Sequence, residues 1–398
     1  MKVAIGQFGA PTTVLNSSLY GVLEGLQGKA DVYGVIGGMS GLVAGTLRPL
    51  QGVIPWLLET PGAALLAGRY TDHEEGVERA VQNLLRAQVD AFVLLGGNGT
   101  MSLGAAIESK ARSMSYPLCV IGVPKTIDND IAGIDHSPGF PSAARFVLQA
   151  VRDLQIDLEA MTGFEQVRIV EVMGRRAGWL AAASALLPYL GWGGPNKSRL
   201  IPSGVPAPII CIPEKPFNSA KLMNQIASRV KSCGTALVVV SEGVLARDGL
   251  PVLQSGQFSR SSVSGMLGGI GAVMAEQVRQ EMGVGVRYEN LGLLQRCWND
   301  CSLESDKKHA RLLGNLGAQA ILDGKGGLMV GLKTGPAKEQ PLSQTEVPLS
   351  DLVGRERRMA NDELDMGEDF VRWLGPLVEI DTIAEHQRFE SAQQIRRR

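Results

Sequence analysis

The run LCVIGVPKTIDND, residues 118–130, decides the fold. Its first half, Leu118 to Val123, is short, rich in β-branched residues and apolar without alternation, the pattern of a strand buried on both faces of a parallel sheet. Its second half, Pro124-Lys125-Thr126-Ile127-Asp128-Asn129-Asp130, turns abruptly polar where such a strand would end. Loops at the carboxyl ends of parallel strands are where open α/β sheets hold their ligands.

Working outward, the same kind of run recurs at Val3 to Gly6, Val32 to Ile36, Ala91 to Leu95, Val167 to Val172, Ile209 to Ile212 and Ala236 to Val240. Between these runs lie longer segments of helical period, so the chain reads as α/β with parallel sheets and crossover helices. At 398 residues it exceeds the size at which one core keeps growing. Two Rossmann-like lobes with an active-site cleft between them are therefore expected. The strand-end loops Gln7 to Asn16, Gly96 to Thr100, Pro124 to Asp130 and Met173 to Gly178 carry the polar and glycine-rich residues. Gly191 to Pro208 reads as a surface excursion, Thr334 to Val347 as irregular, and Asp369 to Ile383 as an amphipathic helix.

Composition is that of an ordinary globular protein, 44% hydrophobic and 20% charged, but 49 glycines suit tight loops that approach a ligand closely. A formal net charge of -1 gives no global attraction to nucleic acid or to an acidic membrane, so any anion site must be local. Five cysteines without a CxxC pair fit reduced thiols in a cytoplasmic protein. Met1 to Ile5 opens directly into a strand-like run, and no apolar stretch has the length of a membrane span; neither a secretory signal nor a transmembrane helix is expected.

Three strand-end loops carry chemistry. Leu95-Gly96-Gly97-Asn98-Gly99-Thr100 places glycines at a strand-to-helix turn, where backbone N–H groups and the helix start favour a phosphate. Pro124 to Asp130 packs more polar groups than a turn requires. One carboxylate there is suited to take a proton from an attacking hydroxyl and another to help hold a divalent metal, since phosphoryl transfer is largely positioning and charge neutralisation. A solvated acidic turn with Lys125 as its ion-pair partner is the plain structural alternative. Met173-Gly174-Arg175-Arg176-Ala177-Gly178 sets an arginine beside glycine at a helix start, where it would grip a phosphate. Glu214 after Ile212-Pro213 adds a carboxylate at a strand end, and Arg287, Gln295 and Arg296 add cations and an amide.

These residues, in order and from about Gln7 to about Arg296, resemble the phosphofructokinases, in both their ATP-dependent and pyrophosphate-dependent branches. PKTIDND at 124–130 followed by MGR-x-AGW at 173–179 carries the resemblance. It implies Mg2+-dependent phosphoryl transfer to the 1-hydroxyl of fructose 6-phosphate, a glycolytic step giving fructose 1,6-bisphosphate. Residues 1–142, completed by part of 297–398, would bind the donor, 143–296 would bind the sugar phosphate, and 297–398 would pack back on both lobes. By the same resemblance Asp128 is the base, assisted by Thr126, Lys125, Asp130 and Arg175. Met173, Gly174, Arg175, Glu214, Arg287 and Arg296 would bind the sugar phosphate together with Thr126 and Asp128. Gly9, Ala10, Arg69, Gly97, Asn98, Gly99 and Thr100 would hold the donor, and Asn98 and Asp130 would hold the metal. A homodimer or homotetramer with sites completed across subunits is also implied.

The chain departs from the family pattern at several points. Gly99 leaves room for a nucleotide where pyrophosphate enzymes often carry aspartate, whereas Lys125 is frequent in those same enzymes. ATP is the expected donor, with pyrophosphate the alternative. Asn98 stands where the family has a metal-side acid, and Ala10 stands where it usually has glycine. A catalytically weakened, sugar-phosphate-binding regulatory relative is the reading those two residues motivate. Leu293 and Leu294 replace a histidine before the final arginine, and Gln166 replaces an arginine seven residues before Met173.

Overall fold

Continuous apolar runs become the central strands because both of their faces are covered. The structure, a computed structural model, describes residues 1–68, 74–161, 163–190, 206–246, 249–250, 252, 268–333 and 343–383. In chain order the strands are β1 (Lys2–Gln7), β2 (Asp31–Val35), β3 (Leu47–Pro49), β4 (Ala91–Gly96), β5 (Cys119–Pro124), β6 (Val167–Val172), β7 (Ile209–Cys211), β8 (Ala236–Ser241), β9 (Val286–Asn290), β10 (Leu328–Lys333) and β11 (Ser343–Pro348). The α-helices are α1 (Leu15–Leu26), α2 (Gly38–Ala44), α3 (Glu74–Arg86), α4 (Asn98–Ser113), α5 (Phe140–Ala160), α6 (Trp179–Ala183), α7 (Ser219–Cys233), α8 (Ile270–Met282), α9 (Leu294–Cys297), α10 (Glu304–Leu322), α11 (Asn361–Leu364) and α12 (Glu368–Leu377). Among the described residues no helix is long and apolar enough to cross a membrane.

The chain divides into two units, Met1–Ser142 with Arg296–Arg357, and Ala143–Gln295 with the segment that begins at Arg358. The first unit holds one sheet in the order β11-β10-β5-β4-β1-β2-β3. Its five inner strands are parallel, and β3 and β11 run antiparallel at the edges. Alternate residues feed two cores: Ala4, Phe92, Leu94 and Val120 pack with Val81, Leu84 and Ile107 on one face. On the other, Val3, Ile5, Val93, Ile121 and Val123 pack with Leu15, Leu19, Leu313 and Ile321. From β1 the chain steps to β2 on one side, while β4 and β5 lie on the other, so the strand order reverses between β1 and β4. Such a reversal opens the crevice at which α/β sheets bind ligands.

The second unit holds the parallel sheet β7-β8-β6-β9. Val167, Ile169, Val238 and Val240 form its core with Leu222, Ile226, Met274 and Val278. Trp179, at the start of α6, is fully buried against Phe370 and Trp373 of α12, with the Trp179 and Trp373 ring centroids 5.3 Å apart. The aromatic that closes MGRRAGW is thus a packing residue, and it seats the C-terminal helix.

All seven expected strands are present, and the expected amphipathic segment covers α12 except for its first residue, Glu368. Among the described residues four strands, β3, β9, β10 and β11, were not anticipated. The segment expected to be irregular from Thr334 to Val347 corrects in part: Ser343–Pro348 is β11, paired from Lys333↔Ser343 to Leu328↔Pro348. Its sequence SQTEVP is polar because it is a half-exposed edge strand with little core to bury. Residues 191–205 of the expected surface excursion lie outside the described residues.

Helices α1 and α10 cross closely, which glycines permit. A Cβ on Gly21 would lie 2.0 Å from the Arg311 carbonyl oxygen, and one on Gly314 would lie 2.2 Å from that of Ser18. Gly21→Val is therefore expected to destabilise the protein by about 1–3 kcal/mol through overpacking. Thermal unfolding checks this: an unchanged midpoint would mean that the two backbones do not meet at this distance.

Candidate active site

Strands β1, β4 and β5 lie side by side and end together, so they deliver Phe8–Pro11, Gly97–Thr100 and Lys125–Asp130 to one edge of the first sheet. Lys125 leaves the end of β5 and is only 3% exposed. Its Nζ donates to the carbonyl oxygens of Phe8 at 3.1 Å and Ala10 at 2.6 Å. Gly9 has φ +72, so the opening loop wraps the ammonium in a conformation that glycine adopts without strain. Burial pushes the Lys125 ammonium down to about 8, against the upward pull of Asp128 and Asp130 and with a further downward push from Arg296. Arg296, on α9, thus stands close enough to the turn to act on it electrostatically.

The PKTIDND turn is fixed by its own amides and by the segment that follows. Asp128 donates its backbone N–H to Thr126 Oγ1 at 3.1 Å. Thr126 donates its N–H to Ser137 Oγ at 3.0 Å and to the Pro138 carbonyl at 3.2 Å. Asn129, buried and left-handed at φ +52, accepts from the Ser137 N–H through Oδ1 and donates to the Asp135 carbonyl through Nδ2. The Asp128 side chain, between Thr126 and Asn129, sits on a backbone restrained from both sides.

Asn98 opens α4 and links the glycine turn to the PKTIDND turn, its Nδ2 donating to the Asp130 carbonyl at 2.8 Å. Its Oδ1 is buried without a hydrogen-bond partner among the described residues. An orphaned amide oxygen beside a carboxylate-bearing residue fits a hard divalent cation, which takes oxygen ligands and completes its shell with water and substrate phosphates. Among the described residues no group of three His, Cys, Asp or Glu side chains forms a closed metal cage. A Cβ on Gly99 would meet nothing within 4 Å, so the space beside this residue is open. Thr100 is buried in the first turn of α4, and Arg69 lies outside the described residues.

In the second unit the loop after β6 is equally constrained. Gly174 has φ +132, and its carbonyl accepts from Ser241 Oγ at 2.5 Å and from the Gly243 N–H at 3.2 Å. Met173 donates its N–H to Oε1 of the buried Gln295 at 3.0 Å. Glu214 accepts the Gly178 N–H at 3.0 Å and the Met359 N–H at 3.3 Å, so the carboxylate expected to meet sugar hydroxyls also braces the MGRRAGW loop. Arg175 is half exposed and 3.7 Å from Glu242, whose carboxyl burial holds above the usual range.

Arg287 does not join this group within the chain. Register pairs it with Arg168 near the start of β6, the opposite end of the sheet from Met173. There its Nε lies 3.2 Å from Glu165, which is buried and also grips Arg168 through two 2.8 Å bonds. A strand position was foreseen for none of residues 286–290, because VRYEN alternates too little apolar character to announce β9. Sequence reasoning missed the bracing roles of Asn129 and Ser137, whose bonds are local, and of Asp306 and His309, whose bonds reach across more than 160 residues; it placed Gln295 beside the cations but not its bond to Met173.

The sequence matches the family described as Phosphofructokinase over residues 2–319. It is 35% identical over 389 residues to a sulfofructose kinase of Alkalicoccus urumqiensis, covering 96% of this chain and 97% of that protein. It is 30% identical over 394 residues to a pyrophosphate-fructose 6-phosphate 1-phosphotransferase of Halomonas elongata, covering 94% and 90%. Among solved structures, a pyrophosphate-dependent phosphofructokinase from Nitrosospira multiformis is similar with a TM-score of 0.81 and 26% identity, over 95% of this chain and 91% of that one.

The buried lysine yields a measurable consequence. A lysine whose folded value lies near 8, below its ordinary 10.5, adds stability that is present above 10.5 and lost as pH falls through 8. The stability of the parent relative to Lys125→Met is therefore expected to rise as pH is raised from about 8 towards 10. Denaturant unfolding of the two proteins across that range tests it, and a flat difference would mean that the ammonium is not desolvated.

Proposed function

The chain belongs to the phosphofructokinase family and is a phosphotransferase that uses ATP or diphosphate, and we propose that it transfers the terminal phosphoryl group of ATP to the 1-hydroxyl of fructose 6-phosphate. The observation that carries this reading is Asp128, held between Thr126 and Asn129 on a turn bonded at both residues. Asp128 takes the proton of the 1-hydroxyl as that oxygen attacks, a role in which a positioned base contributes about 10²–10⁴-fold. Thr126 faces the transferred group, Lys125 acts on it through the field of its buried charge, and Arg296, Arg175, Met173 and Gly174 hold the sugar phosphate. Glu214 keeps lone pairs for a sugar hydroxyl beyond those given to backbone N–H groups. Gly9, Ala10, Arg69 and Gly97 to Thr100 hold the donor.

Members of this family generally need a divalent metal. Asn98 Oδ1 and the Asp130 carboxylate are the groups we assign to Mg2+, which when bound neutralises charge spread over the donor phosphates. The unit Met1–Ser142 with Arg296–Arg357 is then donor-binding apart from Arg296, and Ala143–Gln295 is sugar-binding. Arg287, remote from Met173 in its own chain, serves a second copy in a cytoplasmic homo-oligomer.

The open space beside Gly99 supports ATP, since a nucleotide needs it. Pyrophosphate is the second donor reading, supported by Lys125 and by the activity named for the Halomonas relative. A second substrate reading also has a specific observation behind it. Gln166 and the Leu293-Leu294 pair remove two cationic contacts, and Glu165 offsets the charge of Arg287. A cation-poor site disfavours a dianionic phosphate more than a monoanionic sulfonate, which suits sulfofructose, the substrate named for the Alkalicoccus relative.

Purified protein with Mg2+, offered each of ATP and pyrophosphate with each of fructose 6-phosphate and sulfofructose, separates the readings. ATP with fructose 6-phosphate is expected to give the highest kcat/KM; a higher value with another pair transfers the assignment to it. Asp128→Ala is expected to lower kcat at least 100-fold while the sugar still binds, and parent-like turnover would remove Asp128 as the base. Gly99→Asp is expected to harm ATP use more than pyrophosphate use. Equal losses would mean that this position does not select the donor.

A further inference from the structure

We propose that Asp306 and His309, one turn apart on α10, are positioning residues that set the orientation of Asp128 through residues 135–142; the inference rests on Asp128 being the base. Thr126 and Asn129, which flank that aspartate, are bonded to Asp135, Ser137 and Pro138. Thr126 is also bridged to Gly139. Residues 135–139 have little regular structure of their own, so the precision of the turn depends on what holds them.

Helix α10 holds them at two points. The Asp306 carboxylate, 1% exposed, accepts the Gly139 N–H at 3.1 Å, the Ser142 N–H at 3.2 Å and the Ser142 hydroxyl at 2.6 Å. These groups form the N-terminus of α5, whose unsatisfied N–H groups a local Ser, Thr, Asp or Asn would ordinarily cap. The residue before α5 is instead Gly139 at φ +102, where a Cβ would press on Thr12 at 3.1 Å. The cap therefore comes from a distant helix. One turn on, His309 Nδ1 lies 3.3 Å from Nε2 of the fully buried His136.

The helix supplying both groups is itself fixed. Its backbone is pressed against α1 at Gly21 and Gly314, and Glu24 of α1 binds both Arg311 and Asn315. Burial raises the Asp306 carboxyl to about 6 against the opposing pull of its three donors. A buried carboxylate is an expensive way to cap a helix. What it adds over a local cap is a link from α10 to the loop beneath the base.

The test compares Asp306→Asn, His309→Gln and Ser142→Ala with Leu313→Ala, a core change on the same helix, and with Asp128→Ala. Thermal midpoint, kcat and sugar KM are measured for each. Misplacement of a catalytic group by about 1 Å costs on the order of 100-fold. Asp306→Asn is expected to lower kcat about 10- to 100-fold with sugar KM within about threefold. His309→Gln and Ser142→Ala should lower it about 3- to 10-fold, and Leu313→Ala should keep kcat within about twofold despite a lower midpoint. Should Asp306→Asn not fold, the other two variants carry the comparison. The inference is overturned if these variants match Leu313→Ala in kcat, or if their loss falls on KM alone. Parent-like turnover in Asp128→Ala overturns both this inference and the assignment of the base, whereas an inactive Asp128→Ala with a fully active Asp306→Asn overturns only this one.

Discussion

An ammonium group with almost no access to water, seated under two backbone carbonyls, organises the first unit. Lys125 stands at the end of β5, and its partners Phe8 and Ala10 follow β1, so a single side chain ties together the ends of strands that have β4 between them. The energetic logic is strained by design. Burial disfavours the charged form, and two carbonyl oxygens and the field of Asp128 and Asp130 offset that penalty. A neutral side chain of equal length would fill the space but leave the carbonyls of Phe8 and Ala10 without a donor. The loop geometry and the local positive charge thus have a common source.

How much of this was legible in the sequence follows from what each feature owes to its neighbours. Strands such as β4 and β8 are buried on both faces, and that demand writes an unbroken apolar run that needs no structure to interpret. Edge strands carry no such demand. β3 has three residues and β11 reads SQTEVP, because half of each faces water. The polar turn at 124–130 was equally visible, since it packs more polar groups into one turn than turning requires.

The supports of the strand-end loops were not visible. Gln295 reaches Met173 across 122 residues, and Asp306 reaches Gly139 across 167. In sequence, Asp306 is one more polar residue in a helical stretch, and Gln295, though noted beside Arg296, gives no sign of its partner. Glu214 was read as a ligand for sugar hydroxyls, but nothing in Ile212-Pro213-Glu214 announces that its oxygens also accept backbone N–H groups at Gly178 and Met359. Arg287 shows the reverse: its residue type was legible and its place was not, because the register that sets it beside Arg168 rather than Met173 exists only once β6 and β9 pair.

The crossing of α1 and α10 bears on how the molecule comes to be made. Strand β10 completes the sheet beside β5, and α10 covers its face, yet both are synthesised only after the whole of β6–β9. Until then a nascent chain carries β5 as an open edge and α1 with its Gly21 groove unfilled, surfaces that invite pairing with other chains. The first unit to begin leaving the ribosome thus cannot close until the segment Arg296–Arg357 has followed, and closure through such distant contacts is intrinsically slow.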